Sequence, residues 1–77
     1  MQAEVTLPEL GAGLVVLSVW FAEPGELVYE GDRLVEVLVE GATFDVSAPV
    51  TGRLLERRAL ANDAVRPGQI LGVVAID

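Results

Sequence analysis

The chain has 77 residues, enough for one domain, and its 52% hydrophobic content can furnish a core even at this size. Cysteine and histidine are absent, which excludes disulfides, thiol catalysis, thiolate or imidazole zinc sites and a histidine general base. Twelve acidic residues against five arginines leave a net charge of −7, which opposes binding to nucleic acid or anionic membrane and suits a soluble domain.

Glycine and proline cut the chain into short extended runs rich in valine, which favour β structure. Ala3, Val5 and Leu7 alternate with polar residues and predict a first strand that Pro8 ends. Pro8 to Gly13 has loop chemistry, and Leu14 to Phe21 is a second strand closed by Glu23-Pro24-Gly25. Proline followed by glycine suits the two central positions of a type II turn. Leu27-Val28 is a short extended piece before Glu30-Gly31-Asp32. Leu34 to Val39 is predicted as a strand with Leu34, Glu36 and Leu38 on one face and Val35, Val37 and Val39 on the other. Glu40-Gly41 then separates it from Ala42 to Val46, the pattern of a tight β-hairpin. Pro49 to Gly52 turns the chain into a further strand, Arg53 to Arg58. Leu54 to Ala64 has some helical propensity, but it follows a turn and reaches Asn62, so it is read as extended. Ile70 to Ile76 is the last strand.

The chain also repeats itself. Pro24 to Val39 lies over Ala61 to Ile76 at an offset of 37 positions, with Gly25 on Asn62, Val28 on Val65, Gly31 on Gly68, Leu34 on Leu71 and Val37 on Val74. Turn and core positions matching in one register imply two copies of one strand arrangement. Each half is too small to bury its own apolar face, so the repeat predicts a pseudo-two-fold sandwich or flattened barrel.

Several ordered pieces resemble the lipoyl/biotinyl-attachment family, and lipoyl domains of 2-oxo acid dehydrogenase acyltransferases in particular. Pro8-Glu9-Leu10-Gly11 resembles the opening P-x-L-G of those domains. Trp20, Pro24-Gly25 and Gly31-Asp32-Arg33-Leu34-Val35-Glu36-Val37 resemble their W…G-D-x-V-x-x-G-D-x-L-V-E-V segment. Ala48-Pro49-Val50-Thr51-Gly52 resembles the A-P-V/A-x-G that follows the modified hairpin, and Val65 to Leu71 resembles the closing V-x-x-G-x-x-L. The resemblance implies a barrel-sandwich hybrid, an all-β flattened barrel of two four-stranded sheets, with residues 1–77 as a single carrier-like domain.

The family carries lipoyl or biotin on a lysine at a hairpin tip, where a ligase joins the cofactor's carboxyl to an exposed amine. The loaded arm then visits active sites at the high local concentration that tethering provides. Aligning the family's E-T-D-K from both sides places it over Leu38-Val39-Glu40-Gly41, so the lysine position is Gly41. All five basic residues are arginine, and a permanently protonated guanidinium is not acylated. Thr43 and Ser47 lack an activating base. The expectation is therefore no attachment residue, no cofactor, no catalytic residue and no metal. Glycine at position 41 suits the positive φ of a tight hairpin turn. Leu38, Val39 and Glu40 also depart from the family motif, which suits natural loss better than one altered residue.

What remains is a non-catalytic interaction or structural module. The hairpin Val39, Glu40, Gly41 and Ala42 is the candidate docking site, with Val39 unusually apolar for its place. The resemblance implies protein partners such as dehydrogenase or carboxylase components, or self-association, and neither nucleic acid nor membrane. Two alternatives stand beside it: a lipoyl-carrying domain in acyl transfer, and a fragment of a larger acyltransferase, carboxylase or adaptor protein. The initial methionine and the lack of an Ala/Pro-rich linker argue against the fragment.

Among the remaining groups, Glu36, Glu40 and Asp45 are read as a solvated acidic face rather than ligands for a hard cation. Arg57-Arg58 is read as an exposed edge with one stem packed on the sheet. Of Trp20 and Phe21, one is expected in the core and the other at the surface. The N-terminus lacks a signal-peptide pattern and no apolar run could span a bilayer, so a cytoplasmic location is expected by default.

Overall fold

The computed structural model describes residues 1–11 and 13–76; Ala12, in the predicted Pro8–Gly13 loop, and Asp77, last in the predicted domain, lie outside them. Eight strands are formed: β1 (Gln2–Thr6), β2 (Val15–Trp20), β3 (Leu27–Val28), β4 (Arg33–Val39), β5 (Ala42–Ser47), β6 (Gly52–Arg57), β7 (Ala64–Val65) and β8 (Ile70–Ile76). They make two four-stranded sheets, ordered β1-β8-β6-β3 and β5-β4-β2-β7, with every pairing antiparallel. The run Leu54 to Ala64, read from the sequence as extended, is strand only through Arg57; bends and a turn then interrupt it before the short β7.

The predicted repeat is present in the hydrogen bonds. Gly25 and Asn62 both take positive φ, at 93° and 75°, one in each half. Gly25 N–H donates to the Leu54 carbonyl, and Asn62 N–H donates to that of Leu17. Leu54 N–H returns to the Glu26 carbonyl, and Leu17 N–H to that of Asp63. Each half thus clasps the other through the same pair of bonds, with the roles exchanged. The next turn is duplicated too: Tyr29 N–H donates to an Asp32 carboxylate oxygen at 3.0 Å, and Arg66 N–H to the Gln69 side-chain oxygen at 2.9 Å.

Bulges recur at equivalent places. The β2–β4 register slips between Leu17 and Val19, and the β6–β8 register slips between Leu54 and Glu56. A further slip between Arg33 and Val35 corrects one sequence expectation. Strict alternation puts Leu34 on the outer face with Glu36 and Leu38. The bulge resets the pleat, so Leu34 and Val35 are both buried. Leu71, its counterpart in the other half, is skipped in the β1–β8 pairing and is likewise buried.

Between the sheets lies an aliphatic core whose fully buried side chains include Leu7, Leu17, Leu34, Leu54 and Leu71, and no polar or charged residue is buried among the described residues. Trp20 packs against this core, and its indole N–H donates to the Ala59 carbonyl at 2.8 Å. The indole lies against Gly72, where an added Cβ would come within 2.8 Å of Trp20 Cη2. Phe21, beyond the strand end, is surface-exposed beneath the Arg33 guanidinium, 4.2 Å from the ring centroid. The sequence-based division of these two aromatics therefore holds. Arg57 is half-buried and Arg58 is exposed, paired with Glu56 at 2.8 Å.

A domain of this length has roughly 4–12 kcal/mol of net stability. Leu54→Ala should remove about 2–5 kcal/mol, because the site is enclosed by both sheets and cannot collapse readily. Chemical denaturation should show a large drop in midpoint with the slope unchanged. Trp20→Phe should cost about 1–3 kcal/mol in the same assay, since it strands the buried Ala59 carbonyl.

Candidate functional site: a lysine-free hairpin tip

The β4–β5 hairpin is the longest paired element of its sheet, running from Arg33↔Ser47 to Val39↔Ala42. Only Glu40 and Gly41 lie between the last pair. Their φ values are 49° and 82°, and two successive positive φ angles in a two-residue loop mark a type I′ turn. Its twist matches that of the strands it joins. Nothing lies within 4 Å of a Cβ placed on Gly41. Glycine here therefore answers a backbone requirement and not a crowding one.

The predicted docking residues divide on inspection. Glu40, Gly41 and Ala42 are exposed at the tip. Val39 points the other way: it is half-buried and packs against the core. The apolar surface that accompanies the tip comes instead from residues on the outer face of the sheet. Leu38, 41% exposed, lies opposite Val16 on β2 and Thr43 on β5, and Leu14 is 64% exposed just before β2. Leu14, Val16, Leu38, Glu40 and Gly41 line a depression of about 350 Å³. Sequence alternation assigned Leu38 to a face, but nothing in the sequence showed that Leu14 and Val16 would join it.

Glu36 and Asp45 are cross-strand partners on the same outer face. Asp45 sits 3.8 Å from Arg33, an exposed pair worth little in stability. Glu36, Glu40 and Asp45 form no cluster suited to a metal, and none is found among the described residues. No helix among the described residues is long and apolar enough to cross a membrane.

Two four-stranded antiparallel sheets related by an internal repeat, one of them carrying a tight β4–β5 hairpin at its edge, define a lipoyl-type barrel. A family model described as "Biotin-requiring enzyme" matches residues 3–74, and the chain belongs to this biotin–lipoyl family. It is 36% identical over 76 residues to the dihydrolipoyllysine-residue succinyltransferase component of the 2-oxoglutarate dehydrogenase complex of Bartonella vinsonii subsp. berkhoffii, covering 96% of the chain and 18% of that protein. It is 35% identical over 71 residues to the lipoamide acyltransferase component of the branched-chain alpha-keto acid dehydrogenase complex of Pseudomonas aeruginosa, covering 90% of the chain and 15% of that protein. The chain thus spans less than a fifth of the length of these relatives. The solution structure of the lipoyl domain of the Azotobacter vinelandii 2-oxoglutarate dehydrogenase complex superposes with a TM-score of 0.73 at 20% identity, covering 99% of the chain and 96% of that domain. The barrel-sandwich fold expected from the sequence is therefore the fold observed.

Turn chemistry makes two further outcomes measurable. Gly41→Ala should lower stability by about 1–2 kcal/mol, the cost of holding an L-residue in left-handed backbone. Glu40→Asn should raise it by about 0.5 kcal/mol, since asparagine tolerates that conformation far better. Thermal melts of the two variants should shift in opposite directions.

Proposed function

We propose that this domain is a non-carrier member of its family, a binding module that accepts neither lipoyl nor biotin. The observation that carries the reading is chemical: the hairpin tip where the family presents an amine is a glycine in a closed type I′ turn, and every basic residue of the chain is arginine. Amide formation needs a neutral, nucleophilic amine at the tip. An arginine guanidinium stays protonated and its charge is delocalised, so it does not supply one. The α-amine of Met1 lies in another part of the fold, where the Met1 carbonyl accepts a hydrogen bond from Ile76 N–H.

Without the swinging arm, what the fold retains is a rigid surface. The exposed tip residues Glu40, Gly41 and Ala42, with Val39 anchoring the hairpin base to the core, hold that surface in place beside Leu38. Partners of the dehydrogenase type are supported by the relatives, which are components of 2-oxoglutarate and branched-chain alpha-keto acid dehydrogenase complexes; carboxylase components stay an alternative that the family's biotin carriers suggest. The role is that of a protein-contacting, non-catalytic part.

Intact mass tests the reading. The chain is co-expressed with a lipoate ligase and, separately, a biotin ligase, each with its cofactor supplied and an authentic acceptor domain in the same cells. The acceptor should gain the cofactor's mass while this chain keeps the mass of its sequence. A lipoyl or biotinyl adduct on any residue would overturn the proposal.

A further inference from the structure

We infer that the outer sheet face beside the hairpin tip seats a protein segment with an apolar centre and basic flanks; this rests on the non-carrier reading above and adds the chemistry of the partner. The fold supplies its own comparison. Across the outer face of one sheet runs the row Ala64, Val16, Leu38 and Thr43, one residue from each of β7, β2, β4 and β5. The internal repeat maps this row onto Leu27, Arg53, Ala75 and Gln2 in the other sheet, which are hydrogen-bonded neighbours in the same order. Arg53 therefore stands where Val16 does, and alanine where Leu38 does. The barrel accepts a charge and a small side chain at these places. Its packing does not require the two aliphatic side chains that the hairpin-side sheet carries there, Leu38 exposed and Val16 half-buried.

Leu14 extends this apolar strip, and with Val16, Leu38 and the turn it bounds the depression of about 350 Å³. The walls come from one sheet face, its turn and Leu14 at the entry to β2, a shape that can seat a protruding side chain. The rim is acidic. Glu40 lines the depression itself, and Glu36 precedes Leu38 along β4 on the same face. Neither enters the two ion pairs found among the described residues, Arg33–Asp45 and Arg58–Glu56. An apolar centre with unpaired carboxylates at its edge is complementary to a bulky aliphatic or aromatic side chain flanked by arginine or lysine. A second copy fits poorly: a two-fold contact through this strip would set Glu36 and Glu40 near the same residues of its mate, between chains that each carry −7.

The test selects a random linear peptide library displayed on phage against the immobilised chain. Enriched peptides should combine a large apolar residue with nearby arginine or lysine. They should bind Leu38→Glu about tenfold or more weakly, and Glu36→Gln less tightly with a shallower salt dependence. Both substitutions are on the surface, and unchanged melting temperatures should confirm that the barrel is intact. Enrichment of acidic or uncharged peptides, equal binding to Leu38→Glu, or no enrichment would each overturn the inference. So would concentration-dependent dimerisation in sedimentation that Leu38→Glu abolishes, which would assign the face to a second copy. A failed selection on a chain of unmodified mass removes this inference alone, whereas a cofactor adduct removes the non-carrier reading whatever the peptides do.

Discussion

Each sheet of this barrel has one apolar face, and among the described residues what chiefly covers it is the other sheet. Leu17 and Leu54, equivalent residues in the two halves, are both fully buried, and neither half has a sequence long enough to shield its own. The hydrophobic effect that drives the sheets together is non-directional and supplies no register by itself. With no polar group buried among the described residues, alignment falls to the backbone. The left-handed turns at Gly25 and Asn62 and the bulges that follow Leu17 and Leu54 fix which residues face inward. The two halves share these devices because each must present its leucines to the other at the same height.

That arrangement separates the fold from the chemistry its relatives perform. The hairpin tip lies beyond the last cross-strand pair, Val39↔Ala42, and contributes nothing to the core. Residues there can change without disturbing the sheets, provided they close the turn. Glu40-Gly41 closes it in the tightest hairpin geometry available to two residues. The family's attachment function depends on one amine, whereas its fold depends on aliphatic residues distributed over the whole chain. One can be absent while the other persists.

The internal repeat also makes visible where the two halves have diverged. Inward-facing positions agree across the repeat: Val28 with Val65, Leu34 with Leu71, Val37 with Val74, all buried. Outward-facing positions differ more, as at Val16 against Arg53, Val19 against Glu56 and Phe21 against Arg58. Inward positions are held to one kind of residue by packing. Outward ones are free of that demand, so their differences carry information about what each face meets in solution.

The amino-acid sequence by itself determined the all-β class, the repeat, the position of most turns and the absence of lysine. These are local or compositional properties: period-two alternation, residues that tolerate positive φ, and the presence or absence of one functional group. The short strand β7 was legible only through the repeat, as the counterpart of β3. The tertiary structure decided which residues the pleat turns inward once bulges interrupt it, and so buried Leu34 against the alternation. Alternation already set Val39 on the face of Val35 and Val37, and the tertiary structure gathered Leu14, Val16 and Leu38 beside the turn. Register shifts of one residue reverse a strand's faces, and they arise from pairing between strands distant in sequence, so no local pattern can announce them.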